Sequence, residues 1–187
     1  MKKLKIEEIE SARVCVMQNA KSLFEEAVLL EKHGFYARSY ALAHICNEEL
    51  SKIPMLVGVA MDVINGETID WKKLNRRLTS HLEKLNAMHT QNYLTSDIRS
   101  DDSDVVAYED SLKTTPRLNE DKNNSLYAGI VNNKFTQPNS LFDKEKVETT
   151  LLQVKDRLEY FETTESKTVG KTSAFKNTLK IRSQLKK

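Results

Sequence analysis

The chain has 187 residues, and its 29 lysines and arginines nearly balance its 27 aspartates and glutamates, so the net charge is +2. Glycine and proline are scarce, at 5 and 3 residues, which favours helices over a β-sandwich. No segment approaches the ~20 apolar residues of a membrane span, and residues 1–10 lack the apolar core of a signal peptide. The two cysteines, Cys15 and Cys46, lie in apolar helical patterns and predict buried thiols in a reducing cytosol. We therefore expect a cytoplasmic protein with one domain over residues 1–165 and no membrane partner.

The first predicted helix covers residues 6–33. Apolar residues recur every seven positions in this helix and form a stripe of Ile9, Val16, Leu23 and Leu30. A second row lies four positions after each of the first three of these residues and consists of Arg13, Ala20 and Ala27. Small residues beside an apolar stripe predict that another helix packs closely here.

A second helix is predicted over residues 35–64, with a kink at Pro54, and Gly34 is suited to the left-handed turn before it. This helix is apolar on nearly every side, which is typical of a helix inside a bundle. Polar side chains within it are therefore expected to be paired; they include His44, Glu48, Glu49 and Lys52. They form either a structural cluster or one wall of a site.

A third helix is predicted from Trp71 to about Tyr93, with Asp70 as its N-cap. One face is apolar and the other is basic. The basic face carries Lys72, Lys73, Arg76, Arg77, His81 and Lys84. Such a face suggests contacts with RNA phosphates, for which Lys72, Lys73, Arg77 and Lys84 are the candidates.

The helical periodicity is lost after this helix, so we predict a long, irregular loop over residues 93–124 that is partly disordered or carries one short helix. Residues 125–138 predict a small hairpin or an irregular segment because strand-forming residues are interrupted by Asn132-Asn133. A last helix is predicted over residues 141–165, capped by Asn139 or Ser140. The basic segment 166–187 is either a frayed tail or a phosphate-contacting segment.

The sequence has no glycine-rich phosphate loop, no paired-cysteine zinc pattern and no hydrolase motif of the HExxH or GxSxG type. The remaining chemistry lies in four histidines, of which His81 stands out because Arg76 and Arg77 precede it. An imidazole can move protons in metal-free RNA cleavage, and a guanidinium can stabilise the charge on the phosphorane. One histidine does not readily perform both proton transfers, so two copies in a dimer fit better. The alternative is that this basic face is merely solvated.

The second helix also carries the pattern GxYAxxYALA followed by EELxK. These residues are Gly34, Tyr36, Ala37, Tyr40, Ala41, Leu42 and Ala43, then Glu48, Glu49, Leu50 and Lys52. The third helix adds SHxxKL, and an SLY motif with a polar turn and Pro138 follows later. Together these motifs resemble the AbiV family of abortive phage infection proteins over about residues 10–160.

The resemblance implies an all-α, HEPN-like antiparallel bundle of four to five main helices that acts in bacterial antiphage defence. Many HEPN proteins form homodimers and cleave RNA with an Arg-x(4–6)-His motif, which falls here on Arg76 and His81. The family is associated with the shutdown of translation, by cleaving RNA or by binding the translation machinery.

Three hypotheses follow. The first is a toxin-like, homodimeric endoribonuclease that needs no metal or cofactor, with Arg76 and His81 catalytic and with Glu48, Glu49 and Lys52 in support. The second is a non-catalytic translation inhibitor that binds RNA, the ribosome or a phage-encoded trigger protein through the basic helical face. The third is a helical interaction module without RNA contacts.

Overall fold

A computed structural model describes residues 3–95, 102–172 and 174 of the chain. The described part is built mainly from α-helices, which confirms the all-α class. In chain order these are α1 (Ile6–Lys32), α2 (Tyr36–Leu50), α3 (Lys52–Asn65), α4 (Trp71–Thr79), α5 (His81–Thr95), α6 (Asp102–Lys113), α7 (Thr115–Leu126) and α8 (Lys144–Thr168). A short hairpin of β1 (Gly129–Val131) and β2 (Lys134–Thr136) and a 3-10 turn (Pro138–Ser140) precede α8. Among the helices of the described residues, none combines the length and the hydrophobicity that a membrane span requires.

Helices α1 and α2 form a tight antiparallel pair, as the sequence predicts. Gly34 takes a φ of +76° at the end of α1, a conformation that glycine adopts without a Cβ clash. The Gly34 N–H donates to the carbonyl of Glu31, and the Phe35 N–H donates to that of Leu30, so the last turn of α1 is closed. This closure sets the direction in which α2 returns along α1.

Small side chains hold α1 and α2 close together. Ala20 and Ala27 of α1 are fully buried, and their carbonyl groups accept hydrogen bonds from α2. The donors are the Cys46 thiol, at 3.1 Å, and the Ser39 hydroxyl, at 2.7 Å. Cys15, in contrast, is exposed, so the expectation of a buried thiol is correct only for Cys46.

The main core lies where α8 packs onto the α1–α2 pair. It is filled by apolar side chains that include Tyr40, Leu50, Val147, Val154 and Phe161. A second, smaller core lies under α3 and α4 and contains Ile9, Leu56 and Leu74. The main core packs α2 against α1 and α8.

The second predicted helix is in fact two helices, since α2 ends at Leu50 and α3 begins at Lys52. Pro54 is the third residue of α3, where the missing N–H would have no partner within the helix. At the junction between the two helices, the Ser51 hydroxyl donates a hydrogen bond to the Asn47 carbonyl, at 2.7 Å. The proline thus stands in the first turn of a new helix rather than at a kink inside one.

The third predicted helix also divides, at Ser80. Asp70 caps α4 as predicted, accepting a hydrogen bond from the Lys73 N–H at 2.9 Å. Ser80 then takes an extended conformation with a ψ of 125°, and its hydroxyl accepts from the Glu83 N–H. Because the axis changes at Ser80, Arg77 and His81 do not share a helix face, contrary to the sequence prediction.

The predicted loop over 93–124 is wrong for most of its length, because α6 and α7 occupy it. Their periodicity escapes detection because α7 buries mainly small or polar side chains, namely Thr115, Lys122 and Ser125. Pro116 lies at the start of α7, a favourable place for proline.

The hairpin prediction for residues 125–138 is confirmed. Asn132 and Asn133 have φ values of 51° and 61°, as a two-residue hairpin turn requires. The last helix is capped by Asp143 rather than by Asn139 or Ser140, and it continues to Thr168, past the predicted end at 165. The rest of the predicted basic tail, at 173 and 175–187, lies outside the described residues.

A buried ion pair joins the two ends of the described chain. Arg13 on α1 is 3% exposed, and it donates to Glu165 on α8 through Nε, at 2.8 Å, and Nη2, at 2.6 Å. The Thr168 hydroxyl accepts a further hydrogen bond from Nη2, at 2.7 Å. Arg13, which the sequence places in the row of small residues on α1, therefore joins α1 to α8 through a buried ion pair.

Replacing one member of this pair is expected to destabilise the fold strongly. Glu165→Gln leaves the Arg13 charge buried without a counter-charge, so we expect a loss of about 3 kcal/mol in unfolding free energy, measured by urea denaturation. Glu162→Gln is the matched control, because it removes an exposed partner of Lys21 between the same helices and should cost less than about 1 kcal/mol. Equal losses in the two variants would contradict this assignment.

Candidate functional site

The candidate site is centred on Glu48, a carboxylate that α2 carries into the middle of the bundle. Glu48 is 1% exposed. The main core packs α2 against α1 and α8, and α5 and α7 pack against the same helix. A buried carboxylate in this place needs positive partners or hydrogen-bond donors.

Helix α5 supplies two of these partners. The Lys84 Nζ lies 2.6 Å from Oε2 of Glu48. The His81 Nδ1 lies 2.6 Å from Oε2 and 2.9 Å from Oε1 of the same carboxylate. From α2 itself, His44 places its Nε2 3.3 Å from Oε1, but without hydrogen-bond geometry.

These contacts keep Glu48 ionised. Burial alone would raise the pKa of Glu48, but the contacts with His44, Lys84 and His81 outweigh it and lower the pKa from 4.5 to about 2. An ionised carboxylate only accepts hydrogen bonds, so the His81 Nδ1 must be the donor. In the neutral ring, Nε2 is then left as the proton acceptor, and the side chain is 52% exposed. The arrangement places an oriented base at the surface.

Lys84 does not lie on the solvated basic face that the sequence predicts. It is 6% exposed and neutralises Glu48, because the break at Ser80 turns this part of α5 toward α2. Lys84 therefore lies inside the bundle, not at the exposed position that the predicted contact with nucleic acid assumes. Its position indicates that it balances the charge of the carboxylate instead.

Lys122 is a cation near this site that the sequence prediction missed. It lies on α7, is 5% exposed and donates to the Asn119 Oδ1 at 3.0 Å. Burial lowers the pKa of Lys122, and the nearby Glu48 opposes that change. No sequence signal identified it, because its helix lies in the segment predicted to be a loop.

The other basic candidates lie on α4. Lys72, Lys73 and Arg76 are exposed, and their side chains form no ion pair with the described part of the chain. Arg77 is half-buried and only loosely paired, with its Nε 3.8 Å from Glu83. The α4 cations thus remain available to an anionic partner.

Glu49 and Lys52 lie elsewhere. Glu49, on α2, pairs with Lys52, the first residue of α3, and neither contacts His81. Of the three predicted supporting residues, the structure brings only Glu48 to His81.

No group of three or more His, Cys, Asp or Glu side chains in residues 3–95 and 102–172 is arranged to hold a metal ion.

The lowered pKa of Glu48 predicts a specific acid sensitivity. Since its pKa is about 2 in the folded chain and 4.5 ordinarily, its contribution to stability is present above pH 4.5 and is lost as the pH falls toward 2. We expect the difference in unfolding free energy between wild type and Glu48→Gln to shrink by roughly 2 kcal/mol from pH 5.5 to pH 3. Urea denaturation at several pH values measures this. The same narrowing in Glu49→Gln would count against a special role for Glu48.

The chain matches a known protein family. The model of the AbiV family matches residues 8–159, a range that runs from α1 into α8 and includes Glu48, His81 and Lys84. Neither the curated proteins nor the solved structures contain a significant match to the chain. The match covers most of the 187 residues and agrees with the motifs on α2 and with the all-α fold. The chain therefore belongs to the AbiV family of HEPN-type abortive-infection proteins.

Proposed function

We propose that this AbiV protein is an antiphage effector that stops translation by cleaving RNA without a metal ion. The observation that carries the proposal is the hydrogen bond from His81 to the buried, ionised Glu48. It holds the imidazole in one tautomer, with Nε2 free to accept a proton at a half-exposed surface. Exposed cations on the preceding helix α4 supply charge for the RNA backbone.

In the proposed reaction, the His81 Nε2 removes the proton from a ribose 2′-OH. The 2′ oxygen then attacks the neighbouring phosphorus, the bond from phosphorus to the 5′ oxygen breaks, and the leaving oxygen takes up a proton. The products are a 2′,3′-cyclic phosphate and a 5′-OH end. Arg76 has no ion pair in the described part of the chain, so its guanidinium is available to stabilise the charge that gathers on the phosphorane.

Glu48 and Lys84 are positioning residues in this scheme. Glu48 fixes the direction of the imidazole and stabilises the imidazolium that forms when Nε2 takes a proton. Lys84 balances the carboxylate from the buried side, at 2.6 Å, so that Glu48 can stay ionised away from water.

The proposal predicts that His81→Ala abolishes both growth arrest and RNA cleavage. We expect purified His81→Ala protein to cleave RNA at least about 100-fold more slowly than wild type, and Glu48→Gln at least about tenfold more slowly. His33→Ala is the matched control, because this exposed histidine merely ends α1. A chelator should leave the wild-type rate unchanged.

Two results would contradict the proposal that the protein is a nuclease. One is loss of cleavage in the presence of chelator. The other is growth arrest by His81→Ala with intact RNA. The second result would favour a non-catalytic inhibitor that holds RNA, the ribosome or a phage protein through Lys72 and Lys73, which are exposed and unpaired with any described carboxylate.

We also propose that the active form is a homodimer in which two copies of His81 serve one RNA. One imidazole accepts the 2′-OH proton and the other, protonated, donates to the 5′ oxygen, which a single His81 does not readily do.

The dimer predicts that inactive subunits inhibit active ones. Sedimentation at micromolar concentration should give twice the monomer mass. An excess of His81→Ala protein should lower the cleavage rate of the wild type by forming mixed dimers, whereas an excess of His33→Ala protein should not. A monomeric mass, together with a wild-type cleavage rate that excess His81→Ala protein leaves unchanged, would contradict the proposed dimer.

A further inference from the structure

A surface groove of about 530 Å³ runs between α3 and α8. Helix α1 packs against both of these helices, and its Arg13 lies in the floor of the groove. Glu165 also lines the groove, and it forms the buried ion pair with Arg13. Because these two charges are balanced within the protein, the groove presents mainly apolar surface to an incoming group.

The walls of the groove carry large apolar side chains that are partly open to solvent. Val57 and Met61 line it from α3, and both are exposed. Tyr160 lines it from α8 and is also exposed. Val57 and Met61 are four residues apart and so share one side of their helix. Two helical walls with apolar side chains form the kind of groove that binds an amphipathic helix.

The chain is held at this groove after α8 ends. Helix α8 ends at Thr168, and Gly170 then takes a φ of +78°, which turns the chain away from the helix axis. Thr172 is buried and lines the groove, and its N–H donates to the Glu10 Oε1 at 3.0 Å. The segment 175–187, which lies outside the described residues, therefore begins three positions after a residue of the groove lining.

The sequence of segment 175–187 has the pattern and the length that the groove requires. Phe175 and Leu179 are four positions apart, a spacing that places two apolar side chains on one side of a helix. As a helix, the segment would be about 20 Å long, whereas the lining residues of α3 from Ile53 to Met61 span about 12 Å. The segment is therefore long enough to follow the whole α3 wall.

We propose that segment 175–187 docks as an amphipathic helix in the groove between α3 and α8 of its own chain. Phe175 and Leu179 contact the apolar walls, and their removal from water favours the docked state. Lys176 and Lys180 stay in solvent, because the charges in the groove floor are already balanced. The short connection from Thr172 gives the segment a high effective concentration at this groove, which favours its own chain over a second copy. The docking does not depend on the proposed RNA cleavage.

Cysteine labelling of the full chain tests whether the groove is covered. In a Cys15→Ser background, iodoacetamide should modify Val57→Cys at least about tenfold more slowly than Val14→Cys. Val14 is the matched control, because it is a valine of α1 outside the groove and is 39% exposed in the described structure, against 36% for Val57. Equal rates at the two positions would overturn the proposal.

Changes in the segment then identify what covers the groove. Phe175→Ser combined with Leu179→Ser should raise the labelling rate of Val57→Cys by about tenfold and leave the control position unchanged. Lys176→Ser combined with Lys180→Ser is the matched control in the same segment, and it should leave the protection intact because no apolar contact is lost. Protection that survives the first pair of changes would contradict docking by this segment.

Dilution separates docking within the chain from docking on a second copy. A contact within one chain does not depend on protein concentration, so the protection of Val57→Cys should be the same at micromolar and nanomolar concentrations. Protection that disappears on dilution would assign the bound segment to a second copy and overturn the proposal.

Discussion

The charge of Glu48 is the constraint on which the site depends. Helix α2 is packed by α1, α5, α7 and α8, so the Glu48 carboxylate in its middle has almost no access to bulk water. Ionisation there requires donors from neighbouring helices, and α5 supplies them through His81 and Lys84. The helix breaks at Ser80, directly before His81, and α5 packs on α2. The cluster thus links the packing of the bundle to the orientation of a surface imidazole.

The bundle contains other buried charges, and they differ in how they are balanced. Arg13 is neutralised by Glu165 and clamps α1 to α8. Glu48 is neutralised from its buried side by Lys84, which leaves His81 as the member that reaches solvent. Arg157 is held by amide oxygens without a carboxylate. Whether such a charge has a structural role or can bind another molecule therefore depends on its partners as well as on the charged residue itself.

Much of the helical framework was predictable because local signals agreed with tertiary packing. The seven-residue stripe gave α1, Gly34 gave the return into α2, and Asn132-Asn133 gave the hairpin turn. The same signals fail where the buried side chains are small or polar. Helix α7 buries Thr115, Lys122 and Ser125, so its sequence shows no hydrophobic stripe, and Lys122 could not be placed near Glu48.

The sequence by itself determined the all-α class, the unusual polarity inside α2 and the AbiV motifs, because these are properties of local pattern and residue identity. Only the tertiary structure decided which polar residues meet. Glu49 and Lys52 pair with each other, whereas Glu48, thirty-three positions from His81 in the chain, orients its ring. The physical reason is that the helix break at Ser80 and the packing of α5 on α2 set these contacts, and neither is encoded in the spacing of residues along one helix.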